Sequence, residues 1–166
     1  SVINNLSAMR ANQLRLVEDG ALKITTQTIE SSQSDLRILA ANCIRNLSTC
    51  NRTRQKLLDA GYIRILYNMS LDTEEEVRRS SIMCFYNFAR DMACREKIVT
   101  GGAVTIVLKA SKREDMELET YQVIAKTIRA LCADKSTINT LVKDKVVNAL
   151  RYLVGRNDKS IRQSCV

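Results

Sequence analysis

Histidine, proline and tryptophan are missing altogether, and only five glycines and two phenylalanines occur in 166 residues. Without histidine the chain has no His-based acid–base or nucleophilic chemistry, and the usual nitrogen ligand of zinc is gone. No CxxC pair makes up for it, and the only adjacent glycines, Gly101 and Gly102, follow no strand-like run. Phosphate loops and nucleophile elbows are therefore absent as motifs. These gaps predict a non-enzymatic protein with no catalytic residues, no metal site and no cofactor. Lack of proline and scarcity of glycine leave long stretches free to be helical, so an all-α fold is expected. No run of about 18 apolar residues is present, and neither a membrane span nor a signal peptide is visible. At 4 % aromatic content the chain is too poor in rings to stack successive bases, and nucleic acid is not an expected partner.

What is present begins with charge. Lysine and arginine number 26 against 18 acids, for a net charge of +8 and a pI near 9.4. The basic residues do not form a block: Arg78 and Arg79 follow a run of acids, and Lys109, Lys112 and Arg113 precede one. Such a pattern fits a solvated surface and a groove that prefers acidic partners. Six cysteines occur, and four of them recur at positions of small residues in the repeat described next: Cys43, Cys84, Cys132 and Cys165. They are expected to be reduced thiols in the core, in keeping with the cytoplasm or nucleus.

The chain repeats itself. Gly20, Gly61 and Gly102 are evenly spaced, and Asn5, Asn46 and Asn87 share that spacing, so that "INNLS", "IRNLS" and "FYNFA" superpose. Two landmarks sharing one period define a unit. The best-formed copy is Leu57 to Arg90: a short apolar run ending in glycine, a second apolar run, and a long helix opened by acids. Three full copies are expected at 11–50, 51–92 and 93–136, with partial ones at 1–10 and 137–166. Because each end falls within a unit, the sequence has the form of a window in a longer array. The second helix of the first copy, expected over 21–31, is rich in threonine and poorly patterned. Its third helix carries Leu36, Leu39, Ala40, Cys43, Ile44 and Leu47 on one stripe, with Ser34 or Asp35 as the cap. Thr73 and Glu76 have capping-box spacing, and Glu74 and Glu75 place negative charge at a helix start. In the third copy Ala130 replaces the asparagine, and its distance from Asn87 exceeds the period by two, which points to a two-residue insertion around 111–116. The fourth copy has Lys145 where the turn glycine belongs.

Three helices per unit at a period of about 41, with "LLDAGYI" before the second helix and "EEEVRRSSIMCFYNFA" in the third, resemble the armadillo repeat. A HEAT-type repeat shares the physics but has two helices per unit. The resemblance implies a right-handed α-solenoid whose third helices line a concave groove. The groove residues it implies are Asn5, Asn42, Asn46, Met83, Asn87, Arg90, Lys126 and Arg129. Armadillo proteins that import nuclear cargo carry a tryptophan four residues before the asparagine, and here Asn42, Met83 and Lys126 stand there.

An asparagine amide both donates and accepts, so a regular row of them suits either an extended backbone or the bonding of one helix to the next. Both uses remain open at this point. Arg90, Lys126 and Arg129 add a positive field that favours an acidic or phosphorylated protein segment. The expected function is thus a protein-binding scaffold. Alternatives are a component of a cytoskeletal assembly such as a ciliary axoneme, with tubulin as a partner, and a nuclear transport or transcription adaptor.

Overall fold

The computed structural model describes residues 2–143, 145–156 and 158–165; residues 1, 144, 157 and 166, all in the two partial repeats, lie outside the described residues. Among the described residues regular structure is helical, with no strand, and no helix is long and apolar enough to cross a membrane. The chain forms two compact units, residues 1–87 and 88–166. In the first, α1 (Val2–Ala8) precedes α2 (Arg10–Glu18), α3 (Ala21–Ile29) and α4 (Ser34–Leu47), followed by α5 (Asn51–Asp59), α6 (Tyr62–Met69) and α7 (Glu75–Ala89). The unit boundary falls two residues before the end of α7. The second unit runs through α8 (Met92–Thr100), α9 (Ala103–Ser111), α10 (Leu118–Cys132), α11 (Lys135–Lys143), α12 (Val146–Gly155) and α13 (Lys159–Cys165). Two short helices and a longer one thus recur from α2 to α10.

One left-handed residue makes each step from the first short helix to the second. Gly20, Gly61 and Gly102 have φ of 93°, 77° and 92°, and Lys145 has φ of 61° in the fourth copy. The N–H of each bonds back to a carbonyl three residues earlier, at 3.0 to 3.2 Å. A Cβ on any of the three glycines would meet nothing within 4 Å, so glycine supplies backbone freedom here and not space. Lys145 adopts the same geometry against the roughly 1–2 kcal/mol that a Cβ costs in this region.

The threonine-rich segment is helical but ends at Ile29, two residues earlier than expected. Its hydroxyls turn back onto their own helix, Thr25 to Ala21 O at 2.9 Å, Thr26 to Leu22 O at 2.9 Å and Thr28 to Ile24 O at 2.8 Å, which satisfies them without breaking the ladder. Thr25 also reaches the Tyr62 hydroxyl at 2.7 Å, tying α3 to α6. Burial raises the Tyr62 phenol above its ordinary value, against the opposing effect of its bonds with Thr25 and Thr26.

The third helices supply the core. In α4, Ala40, Cys43, Ile44 and Leu47 are buried, while Leu36, at the start of the expected stripe, is 38 % exposed. In α7 the same face is Ile82, Cys84, Phe85 and Phe88, all at or below 1 % exposure. Each large side chain among them contributes about 1.5–3 kcal/mol by leaving water. Two expected caps differ from the structure. Gln33 is the N-cap of α4 and makes no side-chain cap bond, because the helix already begins at Ser34. Ahead of α7 it is Asp72, not a Thr73–Glu76 box, whose carboxylate accepts a backbone N–H, that of Glu74 at 2.9 Å; the Glu76 carboxylate is taken by Asn42.

The insertion lies in the connection into α10. The step from turn residue to long-helix start is equal for Gly20–Ser34 and Gly61–Glu75, and longer by two for Gly102–Leu118. The longer loop is closed by buried Met116 and by a hydrogen bond from the Tyr121 hydroxyl to the Arg113 carbonyl. All six cysteines are free. Cys43, Cys84 and Cys94 are buried, as small residues between helices should be, but Cys132 is exposed and Cys165 half-buried. Both of the latter sit at the last residue of their helices.

Candidate functional site

The carbonyls of a helix's last turn have no partner inside the helix. Here the next short helix provides one. Gln13 donates to Ser7 O at 2.8 Å, Arg54 to Ser48 O at 3.3 Å and Thr49 O at 3.1 Å, and Arg95 to Ala89 O at 2.6 Å. These donors are one repeat period apart. A second row lies one residue before them: Asn12 bonds Leu6 O at 3.4 Å, Thr53 bonds Leu47 O, and Thr137 bonds Leu131 O at 2.8 Å. The repeat therefore builds side-chain caps on its long helices. The periodic Gln13, Arg54 and Arg95 were visible in the sequence, but residue types that differ at one register position conceal a shared role.

Asparagines of the expected groove fall into this same bonding. Asn46 in α4 donates to Ser7 Oγ at 3.1 Å and to Asn4 Oδ1 at 3.3 Å in α1. One period later Asn87 donates to Ser48 Oγ at 2.8 Å. Each amide thus bonds a serine on or just after the preceding long helix, and both asparagines are half-buried. Asn42 goes further inward. At 8 % exposure it donates to Glu76 Oε1 at 2.7 Å and accepts from Ser80 at 3.4 Å, so donor and acceptor are both engaged between α4 and α7. Its expected place on an open face is corrected by that burial. Asn5 is exposed and Met83 half-buried. The third rung of the ladder, by register, would join residues 130 and 89, and both are alanine.

In the second unit the corresponding helix carries charge. Lys126 and Arg129 are exposed on α10, and Arg90 is exposed just after α7. This unit holds 15 lysines and arginines against nine acids, whereas residues 1–87 hold 11 against nine. The excess positive charge of the molecule is concentrated there, +6 against +2. Arg113 holds Asp115 at 2.6 Å, and Arg156 stacks at 3.6 Å on the Tyr121 ring, a contact that leaves its charge in place. Among the described residues no group of three or more His, Cys, Asp or Glu stands where it could hold a metal ion.

Two thiols differ by environment. Complete burial pushes the Cys84 thiol up to about 12, against a bond from Ser48 and the nearby Arg45 charge. At Cys50, the N-cap of α5, burial also acts upward, but the N–H groups of Thr53 and Arg52 and the Arg10 charge outweigh it and hold the thiol below its ordinary value.

Neither a protein-family model nor a curated protein sequence matches the chain. Solved structures do. A designed armadillo repeat protein superposes with a TM-score of 0.84 at 22 % identity, covering 98 % of this chain and 69 % of its own. Another, in complex with peptide (KR)4, gives 0.86 at 19 % identity with the same coverage. Computationally designed armadillo repeat proteins for modular peptide recognition give 0.86 at 20 %, again over 98 % and 69 %. Likeness at such identities is a likeness of fold: the chain is an all-α solenoid of armadillo type.

Proposed function

We propose that this armadillo-type solenoid is a non-enzymatic scaffold that holds an extended, acidic segment of a partner protein against its long helices. The observation that carries this reading is the basic face of the second unit, where Lys126 and Arg129 are exposed on α10 and Arg90 follows α7. Each three-helix repeat presents its long helix in the same register, so an extended chain running along successive repeats meets equivalent positions. A partner's carboxylates or phosphates would find guanidinium and ammonium donors at those positions. In the first unit Met83 and Asn42 stand at the position of Lys126, Thr49 at that of Arg90, and Tyr86 and Arg45 at that of Arg129; there Asn46 and Asn87 would contribute the amide oxygens that the serine bonds do not use.

Similar solved structures support a peptide-binding use of this fold, since one is in complex with peptide (KR)4. That peptide is basic, and the net charge of +8 here favours the opposite sign of ligand. Six free cysteines favour a reducing compartment, so we place the scaffold in the cytoplasm or nucleus. A second reading, docking onto an acidic cytoskeletal surface such as tubulin, is favoured by the basic residues outside the long helices, for example Lys112 and Arg151.

Isothermal titration with an alternating Glu-Asp octapeptide and with peptide (KR)4 tests the first reading. The acidic peptide should bind, and the double variant Arg90→Glu, Lys126→Glu should weaken it about tenfold or more. Binding that is indifferent to these reversals removes the long-helix face as the site.

A further inference from the structure

In the first unit a crevice lies between the end of α3 and α6, and Glu30, Asn68 and Asp72 are among the residues that line it. Counted from the turn residues Gly20 and Gly61, these stand at positions ten, seven and eleven. The same positions counted from Gly102 and Lys145 in the second unit are Lys112, Tyr152 and Arg156. Two carboxylates have become two cations, and an amide has become an aromatic ring.

The surface of the second unit is organised there around that ring. Tyr152 is 48 % exposed on α12, and the Lys112 ammonium at the end of α9 lies 5.2 Å from its centroid. Such a contact holds the lysine over the ring while leaving its charge in place. A surface cavity opens beside it, lined by Asn148, Arg151 and Tyr152. Arg156 is withdrawn behind, stacked on Tyr121 and donating to the Arg113 carbonyl. Of the acids in the adjoining segments, Asp115 pairs with Arg113 at 2.6 Å and Asp158 accepts the Ile161 N–H at 2.9 Å, while Glu114 follows Arg113.

We propose that this crevice on α12, bordered by Lys112 at the end of α9, is a second binding site, separate from the long-helix face, and that it takes an acidic peptide segment. Arg151 offers a planar fork for one carboxylate, Lys112 a point charge for a second, and the Asn148 amide a donor to the segment's backbone carbonyl. The exposed Tyr152 face covers the aliphatic part of the bound side chains. The first-unit crevice, with Glu30 at the position of Lys112, meets the same ligand with like charge. Selectivity between the two units thus comes from Lys112 and Arg151.

Because the chain has no tryptophan, Tyr152→Trp in the full chain gives a fluorophore that reports on this crevice alone. Titration with the alternating Glu-Asp octapeptide should produce a saturating change in emission, and peptide (KR)4 should produce none. Adding Lys112→Glu and Arg151→Glu should weaken the response at least tenfold, whereas Arg90→Glu with Lys126→Glu should leave it within twofold. A silent reporter, or equal loss in both double variants, overturns the proposal; the second outcome would mean that only the overall field attracts the peptide. Backbone amide shifts of residues 148–152 in the unsubstituted chain give an independent readout, and their failure to move with the acidic peptide has the same force.

Discussion

The two units share one repeat but use it differently. In residues 1–87 the long helices are stitched by amide-to-serine bonds, Asn46 to Ser7 and Asn87 to Ser48, and the net charge is small. In residues 88–166 the next rung has alanine at both positions, Ala89 and Ala130, and the helix face carries Lys126 and Arg129 instead. Donor and acceptor disappear together, as they must, since losing one alone would strand a polar group against its neighbour. The row of asparagines, which looks like a ligand-gripping device, is in large part the repeat bonding to itself. The excess positive charge is concentrated where that row ends.

The largest expected effect concerns the two interiors. Cys84 is fully buried with its thiol raised to about 12, whereas Cys132 is exposed at the end of α10. A thiol reagent at pH 8 should modify Cys132 at least about a thousandfold faster than Cys84, a ratio equivalent to roughly 4 kcal/mol of opening. Comparable rates, measured by peptide mapping, would mean that the first unit's core opens freely. Cys84 also gives a pH dependence. A thiol raised in the folded state stays protonated while the unfolded chain ionises above about 8.5. Stability from this group is therefore unchanged below that pH and falls as pH rises from there toward 12; Cys84→Ala should flatten that fall.

Turn residues give the next effect, with opposite signs in the two units. Gly61→Ala should destabilise by about 1 kcal/mol in denaturant titration, since φ of 77° is strained for a Cβ that nevertheless has space. Lys145→Gly should stabilise by about 0.5–1 kcal/mol, the relief of strain less the greater freedom of an unfolded glycine. Loss of stability on Lys145→Gly would show that the lysine side chain makes up for its backbone.

A similar or smaller effect is expected at the rungs between long helices. Asn87→Ala should cost about 1 kcal/mol by removing the bond to Ser48. Installing the missing rung by Ala89→Ser with Ala130→Asn should show a favourable coupling of about 0.5–1 kcal/mol relative to the single changes. Absence of coupling would mean that the second unit's helices are not placed to accept the bond.

Much of this was legible in the sequence, and the reasons are local. Turn glycines announce themselves because only they take positive φ without cost, and the register then identified Lys145 as their stand-in. The long helices were legible because their apolar residues follow the 3.6 period. Asparagine was not, because one amide serves a ligand backbone and a neighbouring serine equally well, and only distance decides. Asn42 shows it: its spacing places it beside Asn46 on one face, yet Glu76 and Ser80 draw it inward. Caps were misjudged for a related reason. Thr73 and Glu76 have the right spacing, but Asp72, one residue earlier, takes the N–H and also pairs with Arg37 at 2.9 Å. Cys132 matched small core residues of other copies, but at a helix end register does not guarantee burial.

The proposed partner is distinguished above all by the sign of its charge. Binding of labelled Glu-Asp, Ser-Gly and Lys-Arg octapeptides to the intact chain, followed by fluorescence anisotropy across a range of salt concentrations, measures it. The prediction is affinity for the acidic peptide alone, declining steadily with salt as screened ion pairs do. Equal or tighter binding of the Lys-Arg peptide would contradict it.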